Sequence, residues 1–270
     1  MNHSPATRRL FPAQGSLGTA IVALGLLLGG GLAASRASAE VSTPDPKAVA
    51  VADRVMETLG GEEAWQAARY LRFDFAVERE GKTLVRRAHT WDRRRGRYRV
   101  QATDEKGRPV VVLMNLHTKQ GQAWVGGEPA AGEALEKLLA SGYAWWVNDS
   151  YWLLMPYKMG DDGVVLTYAG LEAKEGRTWD KVLLTFENVG LTPKDKYWVF
   201  INRKTGLVDR WEFVLKGADT PPVPFEWSGW QSHGQIQLAN ERVNPTDGTR
   251  IHFPVLDVPA SVPDSVFTQP

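Results

Sequence analysis

Between Tyr143 and Gly163 the chain places Tyr143, Trp145, Trp146, Tyr151, Trp152 and Tyr157 around one polar pair, Asn148 and Asp149, and closes on Lys158, Asp161 and Asp162. On a helix running to the break at Pro156, positions 145, 148/149 and 152 share a face, which sets an amide and a carboxylate between two indoles. A buried polar group without a partner costs about 2–7 kcal/mol. The pair therefore requires backbone ends, another side chain or the head group of a ligand as its neighbour. The composition fits a satisfied core network and an amphiphile site equally well. The candidate ligand-binding residues here are Trp145, Asn148, Asp149, Tyr151, Trp152 and Lys158.

Catalytic patterns are missing. His89, His117, His233 and His252 are the only histidines after residue 39, and no two stand at ligand spacing on a helix. There is no His-Glu-x-x-His, Gly-x-Ser-x-Gly, P-loop or Gly-x-Gly-x-x-Gly motif in that part of the chain. A triad of Ser150, Asp149 and a distant histidine is the one hydrolytic arrangement left, and unlinked Ser, His and Asp occur in almost every soluble domain. Asp149, Asp161 and Asp162 lack the Asp-x-Asp-x-Asp-Gly spacing of a calcium loop. Neither metal nor cofactor is expected. Cysteine is absent, which excludes disulfides, thiolate metal sites and cysteine nucleophiles.

The first residues set the compartment. Arg8 and Arg9 precede an apolar, glycine-rich run over 17–32, and Ala37-Ser38-Ala39 supplies the small residues of a cleavage site. Residues 1–39 read as a cleaved signal, and Thr7-Arg8-Arg9-Leu10-Phe11 fits a twin-arginine signal. No later stretch approaches the roughly 20 apolar residues of a membrane span. Residues 40–270 are read as one periplasmic domain, soluble after cleavage, with no linker or repeat. Removing three arginines with the signal leaves 29 basic against 31 acidic residues, so nothing general attracts nucleic acid. The run Trp91-Asp92-Arg93-Arg94-Arg95-Gly96-Arg97-Tyr98-Arg99 reads as a solvated hairpin edge, with a lipid phosphate as the functional alternative.

Periodicity orders the elements. Helical spacing covers 44–59, with Gly60-Gly61 as its stop, and a short helix follows over 62–68. The period becomes two at Tyr70, where Leu71, Phe73 and Phe75 alternate with Arg72, Asp74 and Ala76, and Glu80-Gly81-Lys82 turns into a strand over 83–91. Strands follow over 97–103, 109–115 and 121–125, then one helix or two over 132–155, then strands over 164–168, 179–187, 196–202, 207–216, 225–231, 236–242 and 250–253. Many antiparallel strands with a few helices make this an α+β fold. All 11 Trp lie after residue 39, and Trp211-Phe213-Leu215, Trp198-Phe200 and Phe225-Trp227 occupy alternating strand positions. One aromatic sheet face is expected, either as core beneath the helices or as the wall of a cavity in a curved sheet, with Trp198, Trp211, Phe213 and Trp227 as ligand-binding candidates. Gly142, Pro156, Gly160 and Gly163 are candidate hinges around the aromatic helix.

These residues carry a resemblance. Val147-Asn148-Asp149-Ser150-Tyr151-Trp152-Leu153-Leu154-Met155-Pro156-Tyr157-Lys158, Asp162-Gly163-Val164, the run from Thr185 to Pro193 with Tyr197-Trp198, and the ending Pro263-Asp264-Ser265-Val266-Phe267-Thr268 resemble an uncharacterised family of exported bacterial proteins related to the outer-membrane lipoprotein carriers and sorting proteins LolA and LolB. The resemblance implies a half-open barrel: an antiparallel sheet wrapped round a hydrophobic cavity, with helices as a lid. Broad indole and phenol walls of such a cavity suit a lipid or a lipoprotein acyl chain as partner. The chain departs from the carriers in its size, in its Asn-Asp-Ser-Tyr-Trp segment, and in lacking an obvious counterpart of the arginine that holds the lid shut. The expected function is non-catalytic binding of a hydrophobic ligand, with carriage of that ligand as one form of it; the alternatives are an envelope protein–protein interaction module and a hydrolase with an unrecognised site.

Overall fold

The computed structural model describes residues 45–187, 189 and 191–270. The expected signal, 1–39, lies outside the described residues. Helix α1 (Pro46–Thr58) starts where Asp45 accepts a hydrogen bond from the Lys47 amide at 2.9 Å with Pro46 in the first turn, and α2 (Gly61–Ala67) follows directly. Strands β1 (Tyr70–Arg79), β2 (Lys82–Asp92), β3 (Arg97–Thr103), β4 (Pro109–Asn115), β5 (Gly121–Val125) and β6 (Glu128–Pro129) form a meander. The long α3 (Gly132–Leu154) then interrupts the strands and runs into a 3₁₀ turn, Met155–Lys158. After it come β7 (Val164–Lys174), β8 (Arg177–Phe186), β9 (Lys196–Asn202), β10 (Val208–Val214), β11 (Val223–His233), β12 (Ile236–Val243), β13 (Arg250–His252) and β14 (Leu256–Asp257).

All 14 strands belong to one antiparallel, curved, unclosed sheet in the order β6-β5-β4-β3-β2-β1-β13-β12-β11-β10-β9-β8-β7, with β14 pairing on β1. The α+β expectation holds. The order carries a constraint: β6 and β7 are the two edges, and α3 is what joins them. Thirteen strands laid flat span ~58 Å, while a 23-residue helix is only ~35 Å long. A helix that ties opposite edges through short connections crosses the sheet face and favours curling of the sheet round it. Packing agrees, since α3 meets β4 and β5 on one side and β12 on the other. No helix among the described residues is long and apolar enough to cross a membrane.

Hairpin chemistry sets the register. Glu80 and Gly81 both have positive φ (51° and 73°), the two-residue turn whose twist matches its strands, and Arg79 pairs Lys82. One bulge between Val77 and Glu78 then shifts the pairing, so that Phe75 opposes Arg87 and Phe73 opposes His89. Without the shift Arg86 and Ala88 would stand on that face, because a one-residue slip exchanges the faces of a strand. At the other edge, β7 and β8 extend to a second such turn at Glu175-Gly176, past the expected end at 168; Gly170 (φ 106°) at a bulge breaks the alternation there. The Asp45 carboxylate also accepts from the Tyr168 amide at 2.8 Å, which ties α1 to this edge strand.

The basic run is not a free surface. Arg93 donates to the Trp65 and Ala68 carbonyls and stacks 3.4 Å from the centre of the Trp65 ring, which itself stacks on Tyr157. Arg97 grips Asp92 and Asp264, and Arg99 donates to the Val266 and Gln269 carbonyls, strapping the C-terminal segment across β3. Only Arg94 and Arg95 of the five arginines are exposed, so the expected solvated edge is mostly a fastening. Asp92, with no exposure, is its centre. Burial opposes its ionisation, but hydrogen bonds from Arg69, Arg97 and the Arg95 amide outweigh it and bring the carboxyl down to about 2. A carboxyl lowered by folding contributes stability above its unfolded value near 3.8, and that contribution disappears as pH falls toward 2. We expect Asp92→Asn to lower stability at pH 7 by about 3 kcal/mol and to flatten the acid limb between pH 4 and 2 in urea melts.

Candidate functional site

The site is built where α3 lies over the inward face of β2 and β10–β12. Asp149, in the last quarter of the helix, has no exposure to water. Arg87 meets it with both arms, Nε to Oδ2 at 2.6 Å and Nη2 to Oδ1 at 2.7 Å. His89 Nε2 stands 3.0 Å from the same Oδ2, and Nδ1 lies 2.7 Å from the Tyr98 hydroxyl. Phe73 stacks on the His89 ring at 4.5 Å. A neutral imidazole fits both neighbours: Nδ1 accepts from the Tyr98 hydroxyl, and Nε2–H faces Asp149 Oδ2 at 3.0 Å without the geometry of a full hydrogen bond. Burial lowers the His89 pKa and outweighs the pull of Asp149, while burial raises Tyr98. For Asp149, burial opposes ionisation, but Arg87 and His89 win and hold the carboxyl below its ordinary value. A bidentate arginine–carboxylate pair thus fastens helix to sheet in a dry place.

Trp145 flanks the pair, its ring 5.6 Å from the Arg87 guanidinium, and Trp152 lies on the other side. Trp152 packs edge-on against Trp211 (4.6 Å), Phe225 (4.9 Å) and Phe213 (5.8 Å), and Trp211 meets Trp227 at 5.3 Å. Tyr151 joins Trp211 and Tyr197. The candidates Trp145, Asp149, Tyr151, Trp152, Trp211, Phe213 and Trp227 therefore come together. Trp152, Trp211, Phe213 and Trp227 are buried; the first three form packed core, while Trp227 also borders a groove beside Lys174, Trp179 and Arg210.

Three candidates stand elsewhere. Trp198 pairs Glu212 and Leu183, on the face opposite Tyr197 and Trp211. Its companion Phe200 lies there too, under Lys181 and Arg210 at 4.7 and 3.8 Å from its ring centre. Asn148 is exposed and only donates to Asp149 at 2.8 Å, so the amide is not sandwiched between indoles. Lys158 forms an ion pair with Asp161 in a largely exposed turn. Of the hinge candidates, Gly142 is a packing residue: a Cβ there would stand 3.0 Å from a Val112 methyl.

Arg87, His89 and Tyr98 were missed by sequence reasoning, as was Arg242, which is also fully buried. Tyr98, His89 and Asp149 form a relay in outline, yet all three are sealed from solvent and Ser150 is not among the contacts of His89. Two open grooves, of about 510 and 310 Å³, lie on the outward side, one between β1–β3 and the C-terminal segment and one beside Lys174, Trp179 and Arg210.

No family model matches the chain, and no curated protein matches it. Among solved structures, it is similar to a LolA superfamily protein from Nitrosomonas europaea (10% identity over 82% of this chain and 97% of that one, TM-score 0.48). It is also similar to a DUF1329 family protein from Desulfovibrio piger (13% identity, 82% and 96%, TM-score 0.46). A third likeness, to a protein domain from Vibrio parahaemolyticus described as outer membrane lipoprotein-sorting, has 8% identity over 83% and 97% with a TM-score of 0.44.

The latch has a defined pH dependence. Folding lowers both Asp149 and His89, so each contributes stability above its unfolded value, near 3.8 and 6.5, and loses it as pH falls. We expect amide protection of residues 143–152 in hydrogen exchange to drop between pH 7 and pH 4, and Asp149→Ala to destabilise the protein by about 3–5 kcal/mol at pH 7. Flat protection across that range would contradict the assignment.

Proposed function

We propose that this is an exported, non-catalytic periplasmic protein that holds an apolar ligand, a lipid or lipoprotein acyl chain, against the aromatic inward face in the place α3 occupies when closed. One observation carries the reading: a single helix covers a face lined with Trp, Tyr and Phe, and it is fastened at Asp149 by a charged pair rather than by packing alone. The first half of that helix is loosely held, with Leu135, Leu138, Tyr143, Trp145 and Trp146 only half-buried against the β3–β5 cluster of Tyr98, Val100, Val112 and Met114. Beyond it, the Tyr157 hydroxyl bonds the Leu59 and Gln237 carbonyls at 2.9 and 2.7 Å and anchors the following turn. A helix loose at one end and pinned at the other is built to swing.

Magnitudes favour exchange. An acyl chain gains about 0.8 kcal/mol per buried CH₂, on the order of 10 kcal/mol for a long chain before ordering costs. Breaking a buried ion pair costs about 3–5 kcal/mol. The ligand takes over the apolar contacts that the helix gives up, so the latch is the main net cost, and a long chain can offset it.

The test is uptake. Incubated with palmitate, the protein should retain one ligand per chain through gel filtration and native mass spectrometry, and Asp149→Asn should load several-fold faster. No retention by either form would remove the binding reading.

A further inference from the structure

Arg242 has no carboxylate partner. Its side chain is fully buried; Nη1 donates to the Ala239 carbonyl at 2.7 Å, Nη2 reaches the Leu153 carbonyl at 3.4 Å, and Nε has no partner. The guanidinium stacks 3.9 Å from the centre of the Trp227 ring and 4.8 Å from that of Phe253. Around it the pattern repeats. The indole nitrogens of Trp227 and Trp211 and the hydroxyl of Tyr151 are buried without a hydrogen-bond partner, and the rings run in contact, Trp227 to Trp211 at 5.3 Å and Trp211 to Tyr151 at 5.9 Å. An indole N–H and a guanidinium only donate. The cluster therefore joins a guanidinium, whose charge burial opposes, to donors lacking acceptors, in a place where each unmade bond is costly.

From this we propose that the aromatic face takes an anionic amphiphile, whose carboxylate or phosphate head is received by Arg242 with the Trp227 indole beside it. The proposal rests on the apolar-ligand reading and adds the head group to it. Its coupling to the helix is direct. The longest of the Arg242 contacts, at 3.4 Å, goes to Leu153 in the last turn of α3, one turn before the Tyr157 anchor. A swing that frees Asp149 draws that carbonyl out of reach and leaves the guanidinium with Ala239 alone. An incoming anion supplies the acceptor that the moving helix withdraws, so tail and head bind the same opened state. A neutral head of equal size leaves the charge uncompensated and gains only the tail.

Three ligands with the same sixteen-carbon tail decide it: palmitate, hexadecanol and 1-palmitoyl lysophosphatidate, titrated into the full protein at pH 8 with tryptophan fluorescence as readout. We expect an anionic ligand to bind at least tenfold more tightly than the alcohol, and the ranking of palmitate against lysophosphatidate identifies carboxylate or phosphate as the preferred head. Arg242→Gln should reduce the preference below twofold, and Arg242→Lys should keep most of it. Should Arg242→Gln not fold, Trp227→Phe, which keeps a ring and removes the N–H, should still lower the preference several-fold. Equal binding of acid and alcohol by the parent protein overturns the head-group assignment and leaves apolar binding intact. Binding of none of the three overturns both.

Discussion

A carboxylate with no access to water stands in the helix that closes the sheet, and the arrangement of the inward face follows from keeping it ionised. Asp149 on its own would be expelled or protonated; held by both arms of Arg87 and touched by His89, it becomes the point at which α3 is keyed to β2. That keying depends on a single irregularity. The bulge between Val77 and Glu78 turns Arg87 and His89 inward, and a regular ladder from the Glu80-Gly81 turn would present Arg86 and Ala88 instead. Topology explains why such a fastening stands there at all. The chain leaves the sheet at β6 and rejoins it at the opposite edge, so α3 must cross the face, and its register over that face has to be specified by something more directional than apolar contact.

The inward face is uneven. Over β10–β12, Trp152 is wedged among Trp211, Phe213 and Phe225 at ring separations of 4.6–5.8 Å, close to what aromatic edge contacts prefer. Over β3–β5 the helix presents larger side chains that are only half-buried. Packing is tight at one end, charged in the middle and loose at the other. A rigid scaffold has no need of the charged step, since apolar side chains of similar volume are often neutral or stabilising in its place. A helix required to leave and return to one register gains from a contact that is strong when closed and replaceable by solvent or ligand when open.

Much of the framework was legible in the chain. The strands at 97–103, 109–115, 121–125 and 196–202 and the helix from 132 are present at the expected places, because alternation, turn residues and helical spacing are local signals. Asp149 stood out for the same reason, as a charge amid indoles. Its partners did not, since Arg87 and His89 are some sixty residues away and their inward orientation depends on a bulge with no local signature. Trp198 was placed on the wrong face because Tyr197-Trp198-Val199-Phe200 is apolar at every position, and a strand apolar on both faces has no readable parity. The expected cavity was inferred from aromatic content, strand number and the resemblance, and packed core explains the aromatic content equally well; over β10–β11, Trp152 of α3 packs against that face.

The central claim is that α3 must move for the protein to bind. The chain has no cysteine, and a Cβ at Gly142 would stand 3.4 Å from the Val112 Cβ, about the spacing a disulfide requires. The double variant Gly142→Cys, Val112→Cys ties α3 to β4 when oxidised and frees it when reduced. Palmitate uptake is expected to fall at least tenfold on oxidation and to return on reduction of the same sample; equal uptake in both states, with the disulfide verified by mass, would contradict a moving helix.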